Sequence, residues 1–458
     1  MDTDKNDLST KSGFLRRLSR RAGLDRAVVF TLLTRVWQAL AGAVTLLLIA
    51  RFFAPEVQGF YYTFSSLLAL QAFVELGLYV VIVNLASHEW SKLSMDGSGD
   101  VVGDAAARSR LASLVRFIAK WYTGVSLLFI LGVGLVGHAF FSKSQATDVA
   151  WQSPWWTVVA LAAVHLWQMP LLSVLEGCNQ VVALNRFRLR QTMAEAFMMW
   201  LLLATGAGLW VAAGSHAVKA GAALFFLSGR YRRFFCSLLA ISGQERIRWQ
   251  HEIWPMQWRL AVQGLVNYLM FSLFTPVMFH YHGPEVAGRM GMTLQVISVV
   301  QLMGLAWVQT KVSRFGMLVA KRDFAELDRI WWQASKLCYG FTISGCAAIW
   351  AAVLILDELG VGFASRILGP LPSALFLASY SLMQISNCHA AYLRAHAREP
   401  FLVLGVSAGL LIGGLVFLLG SRYGPTGAAA AFTVAAGLYV APMSTIIWIR
   451  RRAEWQRA

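Results

Sequence analysis

The chain is 458 residues long; 57% of these residues are hydrophobic, only 14% are charged, and the formal net charge is +17. This composition excludes an ordinary soluble domain, because apolar runs of about 18 or more residues, enough to cross roughly 30 Å of hydrocarbon, recur along the whole chain. In a soluble protein the positive charge would indicate nucleic-acid binding, but basic loops on one membrane face produce the same total. We therefore predict a polytopic membrane protein without a separate soluble domain.

The chain opens with a basic tail, residues 1–26. Phe14 and Leu18 lie one helical turn apart among arginines, which fits a short helix on an anionic membrane surface. A disordered basic tail fits the same residues equally well. The sequence leaves this alternative open.

Twelve apolar segments follow, and we predict that each crosses the membrane as a helix. The sixth, as drawn, contains Lys219 and Arg230, so we expect it to end earlier. The predicted spans are 27–50, 57–84, 113–140, 153–177, 191–212, 216–240, 258–280, 289–310, 331–356, 371–393, 400–420 and 425–449.

Lysine and arginine are distributed unevenly between the loops. With residues near the end of a span assigned to the adjoining loop, 33 of the 40 fall on the side of the two termini, six fall on the other side, and Arg35 lies inside the first span. The positive-inside rule then places both termini in the cytoplasm. An even number of spans agrees with this orientation.

A five-residue turn repeats at half the chain length. Pro55–Gly59 reads PEVQG and Pro284–Gly288 reads PEVAG, 229 residues later, and each copy lies between long apolar runs. This indicates an internal duplication with six spans in each half, so we predict an all-α protein of two six-helix lobes related by a pseudo-twofold axis along the membrane normal. The predicted parts are the tail at 1–26, the N-terminal lobe at 27–243, an interfacial linker at 244–257, the C-terminal lobe at 258–449 and a cytoplasmic tail at 450–458.

Charges inside spans are costly and therefore indicate function. Arg35 lies 20 residues before Pro55 and Glu75 lies 20 residues after it. In an antiparallel hairpin that turns at Pro55 these two side chains would lie at the same depth and could form an ion pair. A structural pair between helices and a role in substrate binding or gating are both consistent with this spacing.

The first helix of each half carries polar residues on one face. Matching stripes in matching helices would face each other across the axis and line a hydrophilic cavity with cationic groups, although Arg259 alternatively only snorkels to the interface. Gln384 and Asn387 of the tenth span are further candidates, although buried Gln and Asn often bond neighbouring helices. The stripes are Thr31, Arg35 and Gln38 in the first span and Arg259, Gln263 and Asn267 in the seventh.

No enzyme signature appears in the sequence. There is no Walker A motif, no HExxH motif and no recognisable Ser/His/Asp context, and the five cysteines show no CxxC spacing. We therefore expect neither catalysis nor a cofactor or metal site.

Several segments together resemble bacterial polysaccharide flippases, the O-antigen and exopolysaccharide exporters of the multidrug/oligosaccharidyl-lipid/polysaccharide (MOP) superfamily. They are PEVQG at 55–59, ALQAFVELGLYVVIV after it, LEGCNQV at 175–181 and PEVAGRMGMT at 284–293. The resemblance implies alternating access between two lobes and transport of an undecaprenyl-diphosphate-linked oligosaccharide across the bacterial inner membrane. Basic cavity residues are typical of that family, and Arg35 and Arg259 match this. The implied partners are the lipid-linked oligosaccharide, membrane lipids and other polysaccharide-assembly proteins, with no nucleic acid.

Two other functions remain open. A cation-coupled multidrug exporter of the same superfamily would usually need acids deep in one lobe, whereas Glu75 and Glu195 are expected near the cytoplasmic ends of their spans. A polysaccharide polymerase or ligase would need a sizeable periplasmic loop, and the longest external loops are expected only at 141–152 and 357–370.

Overall fold

The computed structural model describes residues 26–71, 75, 78–144, 149–241, 254–360, 362–396 and 400–457. The predicted basic tail lies outside these ranges except for Arg26. The predicted linker at 244–257 lies outside them except for its last four residues.

The described chain is almost entirely helical, as predicted. The helices are α1 (Arg26–Phe52), α2 (Pro55–Leu68), α3 (Leu78–Trp90), α4 (Ala105–Phe141), α5 (Gln152–Gly177), α6 (Val181–Ala204), α7 (Trp210–Arg230), α8 (Arg232–Leu239), α9 (Trp254–Asn267), α10 (Phe274–Gln309), α11 (Val312–Ala320), α12 (Phe324–Glu358), α13 (Pro370–Arg394), α14 (Leu402–Ala435) and α15 (Ala441–Arg457). Single π turns at Tyr268–Ser272 and Ala436–Val440 connect α9 to α10 and α14 to α15, and a 3₁₀ turn lies at Ala364–Arg366.

Twelve membrane crossings arranged in two lobes are present, as predicted. Among the described residues seven helical stretches are long and apolar enough to cross a membrane, and two of these, Ala261–Ala320 and Leu402–Gln456, each contain two crossings. The remaining three crossings are α2 with α3, α6, and α13. In chain order, α1 is the first span, α2 with α3 the second, and α4 to α7 the third to sixth. The seventh span is α9 with the part of α10 before Gly283, and the eighth is the rest of α10. The ninth is α12, the tenth α13, the eleventh the part of α14 before Gly424, and the twelfth the rest of α14 with α15.

Two Gly-Pro corners reverse the chain between spans almost without a loop. Gly283 has a φ of 87° and precedes Pro284, and Gly424 has a φ of 63° and precedes Pro425. Glycine accepts a positive φ without steric cost, and proline is favoured in the first turn of the next helix. His282 Nε2 lies 2.8 Å from the Gly420 carbonyl oxygen, so the two corners lie side by side. We call this face of the bundle the turn face, and the opposite face, on which the described chain begins at Arg26 and ends at Arg457, the termini face.

The fifth span differs from its predicted range. It begins at Val181 and ends at Ala204, about ten residues earlier than the prediction of 191–212. Asn185 and three nearby arginines lower the hydropathy of its first half, which therefore resembles a loop in sequence although the backbone is helical. Gly206 and Gly208, both with positive φ, then reverse the chain inside the predicted range.

The second span is divided into α2 and α3, and a small β-hairpin that was not predicted follows it on the termini face. Strand β1 (Leu93–Met95) pairs antiparallel with β2 (Val101–Gly103), and Leu93 is opposite Gly103. In the connecting turn the Asp96 carboxylate accepts hydrogen bonds from the Ser98 hydroxyl and from the Asp100 backbone nitrogen. These bonds lower the pKa of Asp96 and fix the turn.

Glycines bring helices close together in both lobes. In the N-terminal lobe the Trp155 indole packs directly on Gly137 and donates a hydrogen bond to the Gly134 carbonyl oxygen at 3.0 Å, which joins the third and fourth spans. In the C-terminal lobe Val266 of the seventh span packs on Gly409 of the eleventh. Small residues at these crossings allow the backbones to approach, which is how helices associate in lipid.

Candidate functional site

The two PEVxG segments, Pro55–Gly59 and Pro284–Gly288, lie against each other at the turn face. A Cβ atom at Gly59 would collide with the Pro284 carbonyl oxygen, and one at Gly288 would lie 2.9 Å from the Gly59 nitrogen. Any side chain at these positions would therefore overlap the backbone of the other lobe. The repeated glycine marks the place where the two halves touch, and we call this the turn-face contact.

Gln58 connects the lobes within the turn-face contact. Its side chain is buried, and Nε2 donates to the carbonyl oxygens of Gly288 at 2.9 Å and of Arg366 at 3.1 Å. Both acceptors belong to the C-terminal lobe. A buried amide that bonds to backbone in another helix is costly to leave unpaired, so Gln58 favours the closed arrangement of this face.

Aromatic rings extend the contact. The Phe279 ring at the end of the seventh span lies 4.9 Å from the Phe60 ring and 5.4 Å from the Phe141 ring, both in the N-terminal lobe. Tyr62 packs on Gly291. Elsewhere the lobes meet less extensively, where α9 approaches α3 and α1 approaches α10. The two lobes are therefore joined most tightly at the turn face.

The polar stripe of the first span divides between two environments. Thr31 Oγ1 accepts a hydrogen bond from Asn185 Nδ2 at 3.0 Å, so Thr31 contacts the fifth span within its own lobe. Arg35 and Gln38 are exposed. Arg35 forms no ion pair with any carboxylate among the described residues.

The ion pair predicted between Arg35 and Glu75 does not form. The prediction required the first two spans to pack as a hairpin, whereas α1 packs chiefly on the fifth span, with Trp37 Nε1 donating to the Thr192 carbonyl oxygen at 3.3 Å. The second span also has turns at Ala69, Leu70 and Glu75, so equal numbers of residues do not give equal depth. Glu75 is half-buried.

The described residues of the seventh-span stripe lie in different environments. Arg259 lies on α9, but its side chain is outside the described part of the structure. Gln263 is half-buried beside Gly405 of the eleventh span, and Asn267 is exposed. No hydrogen bond joins the described members of the two stripes. Among the described stripe residues, Arg35, Gln38 and Asn267 have exposed side chains.

Gln384 and Asn387 connect helices of the C-terminal lobe. Gln384 is fully buried, and its Nε2 lies 3.0 Å from Cys338 Sγ in the ninth span and 3.3 Å from the Gln301 carbonyl oxygen in the eighth. Asn387 Nδ2 donates to Gln384 Oε1 at 3.2 Å. This geometry fits the bonding of neighbouring helices, which was the alternative the sequence left open.

An ion pair that was not predicted from the sequence lies in the middle of the N-terminal lobe. Lys219 Nζ lies 2.9 Å from Glu195 Oε1, and their side chains are 32% and 22% exposed. Glu195 is the fifteenth of the 24 residues of α6 and Lys219 the tenth of the 21 residues of α7, so both are mid-span. The expectation that Glu195 lies near the end of its span was wrong because the fifth span begins ten residues earlier than predicted.

Three arginines of the fifth span were assigned to a loop and were also missed. Arg186, Arg188 and Arg190 all lie on α6. Strict alternation of polar and apolar residues from Arg186 to Arg190 is typical of a strand rather than of a helix with one polar face, so the local pattern gave no signal for this helix.

No protein-family model matches the chain, and no curated protein does. Solved structures do match. An inward-facing multidrug resistance MATE family transporter of the MOP superfamily is 12% identical, with 94% of this chain and 96% of that chain covered and a TM-score of 0.65. The lipid II flippase MurJ in an inward closed conformation is 11% identical, with 94% and 90% covered and a TM-score of 0.60. A MOP superfamily transporter from Pyrococcus furiosus is 12% identical, with 94% and 96% covered and a TM-score of 0.58.

The chain has the MOP transporter fold. This fold accounts for the twelve helices and the two lobes. At this level of sequence identity the likeness concerns the fold, and the solute must be argued from the residues of this chain.

Proposed function

We propose that this chain is a flippase for a lipid-linked oligosaccharide, carried on undecaprenyl diphosphate, in surface polysaccharide biosynthesis. Its location would be the bacterial inner membrane, with the termini face in the cytoplasm and the turn face in the periplasm. In this assignment the turn-face contact is the periplasmic gate, which opens and closes as the two lobes rock to give alternating access. Other polysaccharide-assembly proteins would supply and consume the glycan.

The proposal rests on the exposure of Arg35 and on its charge. It is an exposed arginine within the first span, and among the described residues no carboxylate neutralises it. A diphosphate that loses its bound water cannot cross hydrocarbon without other hydrogen-bond donors. The guanidinium group of an arginine can supply them as a pair of charge-assisted hydrogen bonds in a forked geometry. A cationic drug would be repelled by the same group. Arg259, at the matching place in the second half, is proposed as the second cation on its sequence position alone.

The experiment is a translocation assay on purified protein in liposomes. A fluorescent undecaprenyl-diphosphate oligosaccharide is placed in both leaflets, and its transfer is followed by the fraction that an added impermeant quencher reaches. We expect the protein to bring nearly all of the probe within reach over time, whereas protein-free liposomes leave about half protected. Transfer no faster than in the protein-free control, together with uptake of a cationic dye, would instead support drug export.

The second candidate function is a cation-coupled multidrug exporter of the same superfamily. The mid-span pair of Glu195 and Lys219 favours it, because ionisable side chains at this depth are costly to bury and therefore indicate a function. Gln191 Nε2 donates to the Lys219 carbonyl oxygen at 2.9 Å, so the pair is part of a wider polar contact between the fifth and sixth spans. The same pair, acting only to join the two helices, is also compatible with the flippase.

A double-mutant cycle separates these two roles of the pair. Glu195→Gln or Lys219→Met alone leaves one charge without its partner, so each single variant should lower the melting temperature; the cost should be below the roughly 3–5 kcal/mol of a fully buried pair. The double variant should recover most of the loss. If the pair only joins helices, the double variant also recovers transport.

Recovery of stability without recovery of transport would show that the pair takes part in coupling. The transport rate of the wild type should then depend on a proton or sodium gradient, and that of the double variant should not. A variant at Ser228, exposed on the same sixth span, serves as the control for general disturbance of this helix.

A further inference from the structure

A groove of about 930 Å³ lies between the fifth and sixth spans, toward the termini face. Its lining comes from these two helices and from the turn before the fifth, all within the N-terminal lobe. Among the described residues that line it, none belongs to the other lobe, so the groove is separate from the turn-face contact. Its most prominent lining residues are Arg186, Arg190, Arg230, Phe187, Phe225 and Phe226.

The three arginines of the groove are exposed and, among the described residues, none forms an ion pair. Arg188, on a different side of the same helix, pairs with Glu176 at 2.7 Å and shows how a neighbouring arginine is neutralised. Arg186 and Arg230 instead stack on aromatic rings: Cζ lies 5.3 Å from the Phe30 centroid and 5.8 Å from the Tyr231 centroid, respectively. Aromatic faces orient these guanidinium groups but leave their charge uncompensated.

The N-terminus of the fifth span makes the electrostatic potential of the groove more positive. Its helix begins at Val181, so its first backbone N–H groups and the positive end of its dipole lie at the same end of the groove, beside Asn179 and Gln180. Helix N-termini favour anions, and phosphate in particular. Arg190 lies nine residues further along, about 14 Å at 1.5 Å per residue. The basic groups therefore extend from the membrane interface into the span.

Both helices also contribute apolar rings to the groove. Phe187 and Phe226 stack with their ring centroids 4.3 Å apart, and Phe225 is 80% exposed. A phenylalanine exposed to this extent on a membrane span is suited to contact with acyl chains rather than water. Phosphate-binding groups at the interface, with an apolar strip directly beside them, match the two parts of a phospholipid.

We propose that this groove binds an anionic glycerophospholipid from the leaflet at the termini face. Its phosphate contacts Arg186, Arg190 and Arg230, and one acyl chain lies along Phe225. The site is distinct from the place of the transported solute, because it is formed by one lobe alone. It makes the stability of the N-terminal lobe dependent on lipid charge, whichever solute the protein carries.

The test uses the purified full-length protein and measures lipid binding by native mass spectrometry and by the shift in melting temperature. Phosphatidylglycerol, phosphatidylcholine and undecaprenyl phosphate are the three probes. We expect phosphatidylglycerol to bind and raise the melting temperature, because a ligand of the folded state stabilises it, and phosphatidylcholine to have little effect. Each of Arg186→Gln, Arg190→Gln and Arg230→Gln should weaken phosphatidylglycerol binding by about tenfold or more, since each removes a charged hydrogen bond. Raised salt should weaken binding in the wild type.

A matched control removes three charges elsewhere: Arg232→Gln, Lys311→Gln and Lys321→Gln, all exposed near the termini face. This triple variant should bind phosphatidylglycerol as the wild type does. Arg190→Lys keeps the charge and should retain most of the binding. This variant separates loss of charge from misfolding as the cause of a binding defect. Equal binding of the two phospholipids, or equal loss in the control, would overturn the proposal. Strong preference for undecaprenyl phosphate at these arginines would overturn it too, in favour of a substrate site.

Discussion

Replacement of Gly59 by alanine is expected to prevent the lobes from closing at the turn face and to remove transport. The added methyl group has no space, because it would collide with the Pro284 carbonyl oxygen, which belongs to backbone and cannot rotate away. Overpacking of this kind costs about 1–3 kcal/mol. Only the closed arrangement carries this cost, so the ratio of closed to open molecules should fall by roughly 5–150-fold.

Thiol labelling measures this change directly. Gln58 is 1% exposed whereas Glu285 is exposed, so cysteine at Gln58 should be protected in the closed arrangement and cysteine at Glu285 should always react. Cys236 is the exposed native thiol and is replaced by serine first. In the Gly59→Ala background cysteine at Gln58 should become reactive toward an impermeant reagent.

Gly132→Ala is the matched control, since a Cβ there meets nothing within 4 Å. It should leave both labelling and transport unchanged. Continued protection of cysteine at Gln58 in Gly59→Ala, with normal transport, would mean that the turn-face contact does not require glycine.

The sequence predicted the architecture because the relevant signals are one-dimensional. Composition and the lengths of apolar runs determine that the chain crosses a membrane, and the repeat at Pro55–Gly59 and Pro284–Gly288 lies at half the chain length. The contact between the two copies could not be predicted in the same way. Residues 229 positions apart come together only through the packing of the lobes, which a sequence pattern does not show. The glycine of the repeat was visible in the sequence, but its reason, backbone contact with the other lobe, was not.

Errors at the candidate site came from assumptions about neighbouring helices. Equal spacing of Arg35 and Glu75 from Pro55 would have been informative if the first two spans formed a regular hairpin. The first span packs on the fifth instead, and the second has turns at Ala69, Leu70 and Glu75. The depth of Glu195 was misjudged because arginines in the first half of the fifth span lowered its hydropathy. Charged residues inside a span therefore obscure both its boundary and their own position.

Replacement of Arg35 by glutamine is expected to lower glycan transport more than replacement by lysine. If Arg35 holds the diphosphate, glutamine removes a charged hydrogen bond that contributes roughly 1.5–3 kcal/mol. At about 1.4 kcal/mol per tenfold, transport at low substrate should fall by roughly 10–150-fold. Lysine keeps the charge but not the forked geometry, so it should retain intermediate activity. The measurement is the initial rate of the liposome assay over a range of substrate concentrations.

Arg51→Gln is the control, because Arg51 is exposed at the opposite end of the same helix and its loss removes the same charge. It should transport at the wild-type rate, since at the turn face it is far from the leaflet in which the substrate is loaded.

The defect of Arg35→Gln should lie mainly in apparent affinity and should shrink at saturating substrate, because Arg35 is proposed to act in capture. Combination with Arg259→Gln should deepen it. Wild-type transport by this double variant, at normal expression, would place the diphosphate elsewhere, and the arginines of the first and seventh spans would then have only structural or interfacial roles.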